Sequence, residues 1–233
     1  MNTIRSLLFL IVLLVQISCT TEKEPAVSSG AEDVINRYVD AIGGQNAIAQ
    51  LSSRIIQGRQ VDDRPHLGPP TEQLFTVWAN ADGYWRFSSM TESYGFDNMG
   101  GWRADSSGIR VDPWQVRSKV GFIFDPQSIL HLDKYFLQRR IGKEMMLEYR
   151  EVTGIYTDRD STYYTLWFDK ETDLINQIGY HWNLKNYRRV DGVLIPHLIE
   201  QGRKGGAILI HIDSISHNQV LPDSLFYRPS IMD

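Results

Sequence analysis

The chain has 233 residues, 42% of them hydrophobic and 22% charged, with 24 basic against 28 acidic side chains and a net charge of −4. That mild acidity offers no basic stripe for nucleic acid, and a single cysteine excludes an internal disulfide. What remains is an ordinary globular composition, long enough for one domain with a sizeable core.

The N-terminus places Arg5 before an unbroken apolar run, Leu7–Val15. A membrane-crossing helix needs ~20 apolar residues, so this run is too short to span. A basic flank followed by a short apolar stretch reads as an export signal over residues 1–18. Ser18 directly before Cys19 resembles the lipobox of bacterial lipoproteins, where cleavage precedes a cysteine whose thiol is then diacylated. Gln16 stands where a leucine is usual, and ordinary secretory cleavage is the alternative. Cys19 is thus the predicted lipid anchor, and residues 19–30, polar and without apolar periodicity, a flexible stalk. Two or more acyl chains give stable membrane attachment where one does not. Cleavage would remove Arg5 and move the net charge from −4 to −5.

Residues 31–233 read as a single domain. Ser29 and Glu32 have capping-box spacing. Val34, Ile35, Tyr38, Val39 and Ile42 follow at helical period, and Gly43-Gly44 supplies a helix stop. Gln45–Leu51 predicts a short second helix. From Ser53 the period changes to two. Segments 53–61, 71–80, 83–90, 162–182 and 206–215 are rich in β-branched and aromatic residues. Turn clusters at Asp62-Asp63, Asn80–Gly83, Lys170–Asp173 and Asp191-Gly192 punctuate them, which predicts antiparallel hairpins. Pro113–Tyr135 breaks the rhythm and predicts one or two short helices around Asp125-Pro126. In Tyr163–Phe168 both faces are largely apolar. Between Ile178 and Leu184 the even positions Ile178, Tyr180, Trp182 and Leu184 form one aromatic-rich row. An antiparallel sheet normally keeps one face wet, so both faces here are covered or one lines a cavity.

Catalytic motifs are missing. No G-x-S-x-G elbow, P-loop or G-x-G-x-x-G is present, "DSSG" (Asp105–Gly108) reads as a turn, and "GRKGG" (Gly202–Gly206) as a hairpin loop. His211, Asp213 and His217 have loose metal-ligand spacing but read better as strand-surface residues, so no metal, no cofactor and no enzyme activity is predicted.

"AEDVINRYVDAIGGQNAIAQLSSRIIQGR" (Ala31–Arg59) resembles the first helix, double glycine and first strand of outer-membrane lipoprotein-sorting proteins. "LWFDKETDLINQI" (Leu166–Ile178) resembles a hairpin of that family, while "YRRVDGVLIPHLIE" (Tyr187–Glu200) and "NQVLPDSLFYRP" (Asn218–Pro229) resemble its final strands. The resemblance implies a mainly β fold: a curved, antiparallel, unclosed half-barrel wrapping an apolar cavity beneath a short helical lid. It also implies that the cavity holds acyl chains of lipids or lipoproteins. The family carrier's functional arginine has no recognisable counterpart in the sequence.

The expectation is a non-catalytic protein of the bacterial envelope, anchored in the outer membrane, whose partner is a lipid or an acylated lipoprotein. Trp85 and Phe87, Tyr163 and Trp167, and Tyr180 and Trp182 are the candidate lining residues. The alternative is a protein-binding scaffold or sensor of the envelope whose cavity is filled by its own side chains.

Overall fold

A computed structural model describes residues 29–97, 100–112, 123–136, 138–159 and 162–229. The signal, Cys19 and most of the stalk lie outside them. Helix α1 (Ser29–Ile42) buries Val34, Ile35, Tyr38, Val39 and Ile42, the stripe that the 3.6-residue period marks. It ends at Gly43 and Gly44, both at positive φ, where the Gly44 amide donates to the Val39 carbonyl at 2.8 Å. Glu32, in its first turn, accepts from Arg139 Nε at 3.0 Å. Helix α2 (Gln45–Ala49) follows at once.

Thirteen strands form one antiparallel sheet: β1 (Ser53–Asp63), β2 (Thr71–Asn80), β3 (Trp85–Ser89), β4 (Glu92–Asp97), β5 (Gly100–Asp105), β6 (Gly108–Asp112), β7 (Gln138–Leu147), β8 (Arg150–Arg159), β9 (Thr162–Asp169), β10 (Ile175–Ile178), β11 (Trp182–Val190), β12 (Val193–Arg203) and β13 (Gly206–His217). Their order is β6-β5-β4-β3-β2-β1-β13-β12-β11-β10-β9-β8-β7. Every pair joins sequence neighbours except β1 with β13, which join the two halves. The sheet ends at β6 and β7 and does not close, as a half-barrel requires.

Register shifts at Gln57/Gly58, Ile141/Glu144 and Ile175/Gln177 bend the strands. The concave face carries Ile56, Phe75, Val77, Phe87, Ile155, Leu166, Phe168, Ile195, Ile199 and Ile212, and α1 packs into it. A 3-10 segment, Ser128–Lys134, with Phe124, Tyr135 and Phe136 on either side, covers the same face. This is the helical interruption expected near Asp125-Pro126; residues 113–122 of that stretch lie outside the described residues.

Two sequence expectations change. Asn218–Pro229 is not a strand. It is an irregular segment with one 3-10 turn, Asp223–Leu225, laid on the convex face of β3–β5. There the Phe226 carbonyl accepts from Trp102 Nε1 at 3.1 Å, the Leu225 carbonyl from Arg86 Nη1 at 3.3 Å, and Asp97 from the Arg228 amide at 3.1 Å. Pro222 and Pro229 lack the amide a ladder needs. The stretch 162–182 is also not one hairpin. Gly179 (φ 62) opens a second turn, so Ile178 pairs with Trp182 and Tyr180 projects from the turn.

Trp102 and Trp167 sit on the convex face, each over a glycine of the neighbouring strand. A Cβ at Gly95 would lie 2.8 Å from the Trp102 ring, and one at Gly154 2.9 Å from that of Trp167. The missing side chains make room for the indoles.

Candidate functional site: the concave face and its polar centre

The concave side is an apolar floor with an aromatic ladder. Phe75, Phe87 and Tyr94 stack across β2, β3 and β4, with centroids 5.3 Å and then 4.5 Å apart. Trp85 meets Tyr94 edge-on at 5.9 Å and Phe124 of the covering segment at 6.2 Å. On the other half, Tyr38 of α1 stands edge-on to Phe168 at 5.6 Å. Offset and edge contacts of this kind add about 0.5–1.5 kcal/mol each beyond the area they bury.

The covering segment is held mainly by apolar contact. Phe124, Ile129, Leu132, Tyr135 and Phe136 are buried. Gln127 Nε2 donates to the carbonyls of Ala49 and Leu51 at 3.0 Å each, tying the segment to the link between α2 and β1. Asp125 organises it from within, accepting from the Tyr135 hydroxyl at 2.5 Å and the Gln127 amide at 2.7 Å.

Beneath this cover lies a polar centre. Arg54 of β1 is 6% exposed and its Nε donates to His217 Nε2 at 3.1 Å. His217, the last residue of β13, lies with Nδ1 2.8 Å from Asp191 Oδ2 in the β11–β12 turn. Burial lowers the Arg54 guanidinium to about 10, and the nearby Asp125 and Tyr38 oppose that fall. Burial and then Arg54 push His217 below its usual range, while Asp191 pulls the other way. Burial raises Tyr38 to about 12, so its hydroxyl stays protonated at neutral pH. Tyr187, half-buried beside it and hydrogen-bonded to it, donates from its hydroxyl to the Ile175 carbonyl at 2.8 Å.

Arg54, Tyr38 and Asp125 share the wall of a cavity of about 60 Å³, with Ile42, Ile48, Ile129, Ile175, Ile178 and Leu184 among its apolar lining. That is room for about two waters. Ligand sites for small molecules run to about 300–1,000 Å³, well above the volume of this cavity.

Of the lining residues read from sequence, the structure brings Trp85, Phe87 and Trp182 to the concave face. Trp167 is 2% exposed but belongs to the opposite face, because Tyr164, Leu166 and Phe168 are the inward row of β9. Tyr180 is 79% exposed on its turn. The Tyr163 side chain lies outside the described residues. Arg54, Tyr38 and Asp125 escape sequence reading. Arg54 stands between residues of both polarities, and its partner His217 is 163 positions away, so neither has a local signal. His217 is legible only as a loose metal candidate with His211 and Asp213. In the fold His211 pairs with Arg59 and His217 with Arg54, on opposite faces, and Asp213 pairs with Arg59 at 3.5 Å. Among the described residues no group of His, Asp and Glu is placed to hold a metal.

A second concavity, about 350 Å³, lies on the convex face between β5 and the C-terminal segment, lined by Asp97, Gly100, Trp102, Val111, Tyr227 and Arg228.

No family model matches the chain, and no curated protein matches it by sequence. Solved structures match its fold. A DUF1329 family protein from Desulfovibrio piger superposes with a TM-score of 0.60 at 12% identity, over 86% of this chain and 98% of its own. An outer membrane lipoprotein-sorting protein domain from Vibrio parahaemolyticus gives 0.57 at 10% identity, over 84% and 97%. A LolA superfamily protein from Nitrosomonas europaea gives 0.55 at 11% identity, over 85% and 97%. The chain thus has the fold of the lipoprotein-sorting superfamily.

Proposed function

We propose that this chain, built on the lipoprotein-sorting fold, is a non-catalytic acyl-chain binder of the bacterial envelope, held at the outer membrane through Cys19. The observation that carries the reading is the concave apolar sheet covered by Ile123–Phe136, a segment that buries Phe124, Ile129, Leu132, Tyr135 and Phe136 against it. Burying each CH₂ of a chain is worth ~0.8 kcal/mol, so a partly sequestered chain gains several kcal/mol. A cover of modest local stability lets the same chain leave. The small internal cavity then belongs to the closed, unliganded form.

Native mass spectrometry of the full chain, extracted gently from envelopes, tests this. A bound species of lipid mass, released on mild activation, supports the reading. A clean apo mass that persists after incubation with phospholipid and lipopeptide overturns it.

One observation favours a second reading. Much of the concave face is occupied by the protein's own side chains, Phe75, Phe87, Phe168, Ile199 and the cover's Phe124 and Phe136 among them, as in a scaffold that binds a partner protein on its outer surface. The apo outcome above selects it.

A further inference from the structure

Resting on the acyl-chain reading, we propose that the ligand is an anionic amphiphile, and that Arg54 receives its charged head inside the half-barrel. An arginine has five N–H donors in a planar fork. Only Nε of Arg54 has an acceptor among the described residues, His217 Nε2. Among the described residues Nη1 and Nη2 have none and no carboxylate stands within ion-pair distance; neither nitrogen is fully buried, so both open to solvent although the side chain is 6% exposed. Its guanidinium belongs to the wall of the cavity, whose other lining is chiefly isoleucine and leucine.

A buried charge without a partner is costly, and proteins usually pair it or remove it. Here the sequence does neither. Asp125 acts on Arg54 only through space, its own oxygens being occupied by Tyr135 and the Gln127 amide. The unused pair of nitrogens matches the two oxygens of a carboxylate or phosphate in the bidentate manner. The apolar walls suit the chain that such a head carries. Asp125 belongs to the cover, so lifting the cover takes the nearest acid away from Arg54 and leaves the guanidinium to the incoming anion. Tyr38, protonated and on the same wall, is a second polar group of the cavity, its hydroxyl bonded to that of Tyr187.

The experiment compares three probes of equal chain length on the full-length protein by titration below their aggregation concentrations: oleate, oleoyl-lysophosphatidate and monoolein. Charge-assisted, bidentate hydrogen bonds are about twice as strong as neutral ones, so at least one anionic probe is expected to bind on the order of tenfold or more tightly than monoolein. Whichever anion is tighter distinguishes a carboxylate from a phosphate head. Arg54→Gln should remove the preference while monoolein binding stays, and Arg54→Lys should keep part of it. If Arg54→Gln fails to fold, the wild-type comparison and Arg54→Lys still decide. Equal binding of all three probes overturns this inference and leaves the acyl-chain reading standing; binding of none overturns that reading itself. An anionic preference that survives in Arg54→Gln removes Arg54 from the role.

Discussion

Arg54 and His217 meet where the first strand pairs with the last, with Arg54 Nε 3.1 Å from His217 Nε2. A guanidinium only donates, so His217 Nε2 is the bare nitrogen and Nδ1–H donates to Asp191. The imidazole is therefore neutral, and a second proton would set two cations against each other.

This fixes a pH dependence. His217 is held below its usual value by burial first and by Arg54 second. As pH falls, the unfolded chain takes up the proton before the native one does. The stability this histidine contributes is complete above ~6.5 and is lost as pH falls through the depressed native value. Urea midpoints between pH 7.5 and 5 should decline, and His217→Gln should flatten that slope. An unchanged slope in the variant would refute the assignment.

Asp169 governs a lower window. Burial pushes its carboxyl up, but Arg150 Nη1 at 2.9 Å, the Thr172 amide and hydroxyl and the Glu171 amide outweigh it and hold the group below the usual carboxylate value. Its contribution is present above ~3.9 and is lost as pH falls through the native value. Asp169→Asn should lower the melting temperature at neutral pH and shrink the further loss seen between pH 4 and 2. Calorimetry across that range checks both effects.

The C-terminal segment is a separable support. Phe226, 1% exposed, packs over Tyr84 and fixes the carbonyl that receives Trp102 Nε1. Phe226→Ala should cost about 3–5 kcal/mol, as large-to-small changes at buried aromatics do. Since it lies behind the sheet, acyl binding by the folded fraction should not change. A loss of binding without a loss of stability would contradict that separation.

Gln127 ties the cover to the link before β1 through two side-chain bonds. Gln127→Ala removes both bonds to Ala49 and Leu51, each worth about 0.5–1.5 kcal/mol. Hydrogen exchange over residues 124–136 should quicken, with β1, β12 and β13 unaffected, and acyl uptake should become faster. Uniform acceleration over the whole chain would show that the cover does not open on its own.

The helical half of this architecture is legible in the sequence because α1 buries one stripe and stops at two glycines. The edge strand β7 is not. Its residues Arg139, Arg140, Lys143 and Glu144 leave no alternation, since an edge strand is wet on more than one side. Strands β4 to β6 are short, and Gly95 within them makes room for the neighbouring Trp102 indole, a reason only the third dimension supplies. On β9 both faces are apolar, so the inward row could not be chosen from sequence, and the presence of Gly154 opposite decides it. The polar centre is illegible for a different reason: Arg54, Asp125 and His217 come from three distant parts of the chain.

The pairing of β1 with β13 also bears on how the protein forms. All other strand partners are sequence neighbours, so each half of the sheet can assemble from local hairpins. The central seam joins residues as far apart as Arg54 and His217, 163 positions. Closing so long a loop is slow, and β1 emerges first yet must wait for the last strand with one edge unsatisfied. A chain made outward from its N-terminus would spend its synthesis with that edge open. The two halves would dock only at the end, in the same event that brings Arg54 to His217.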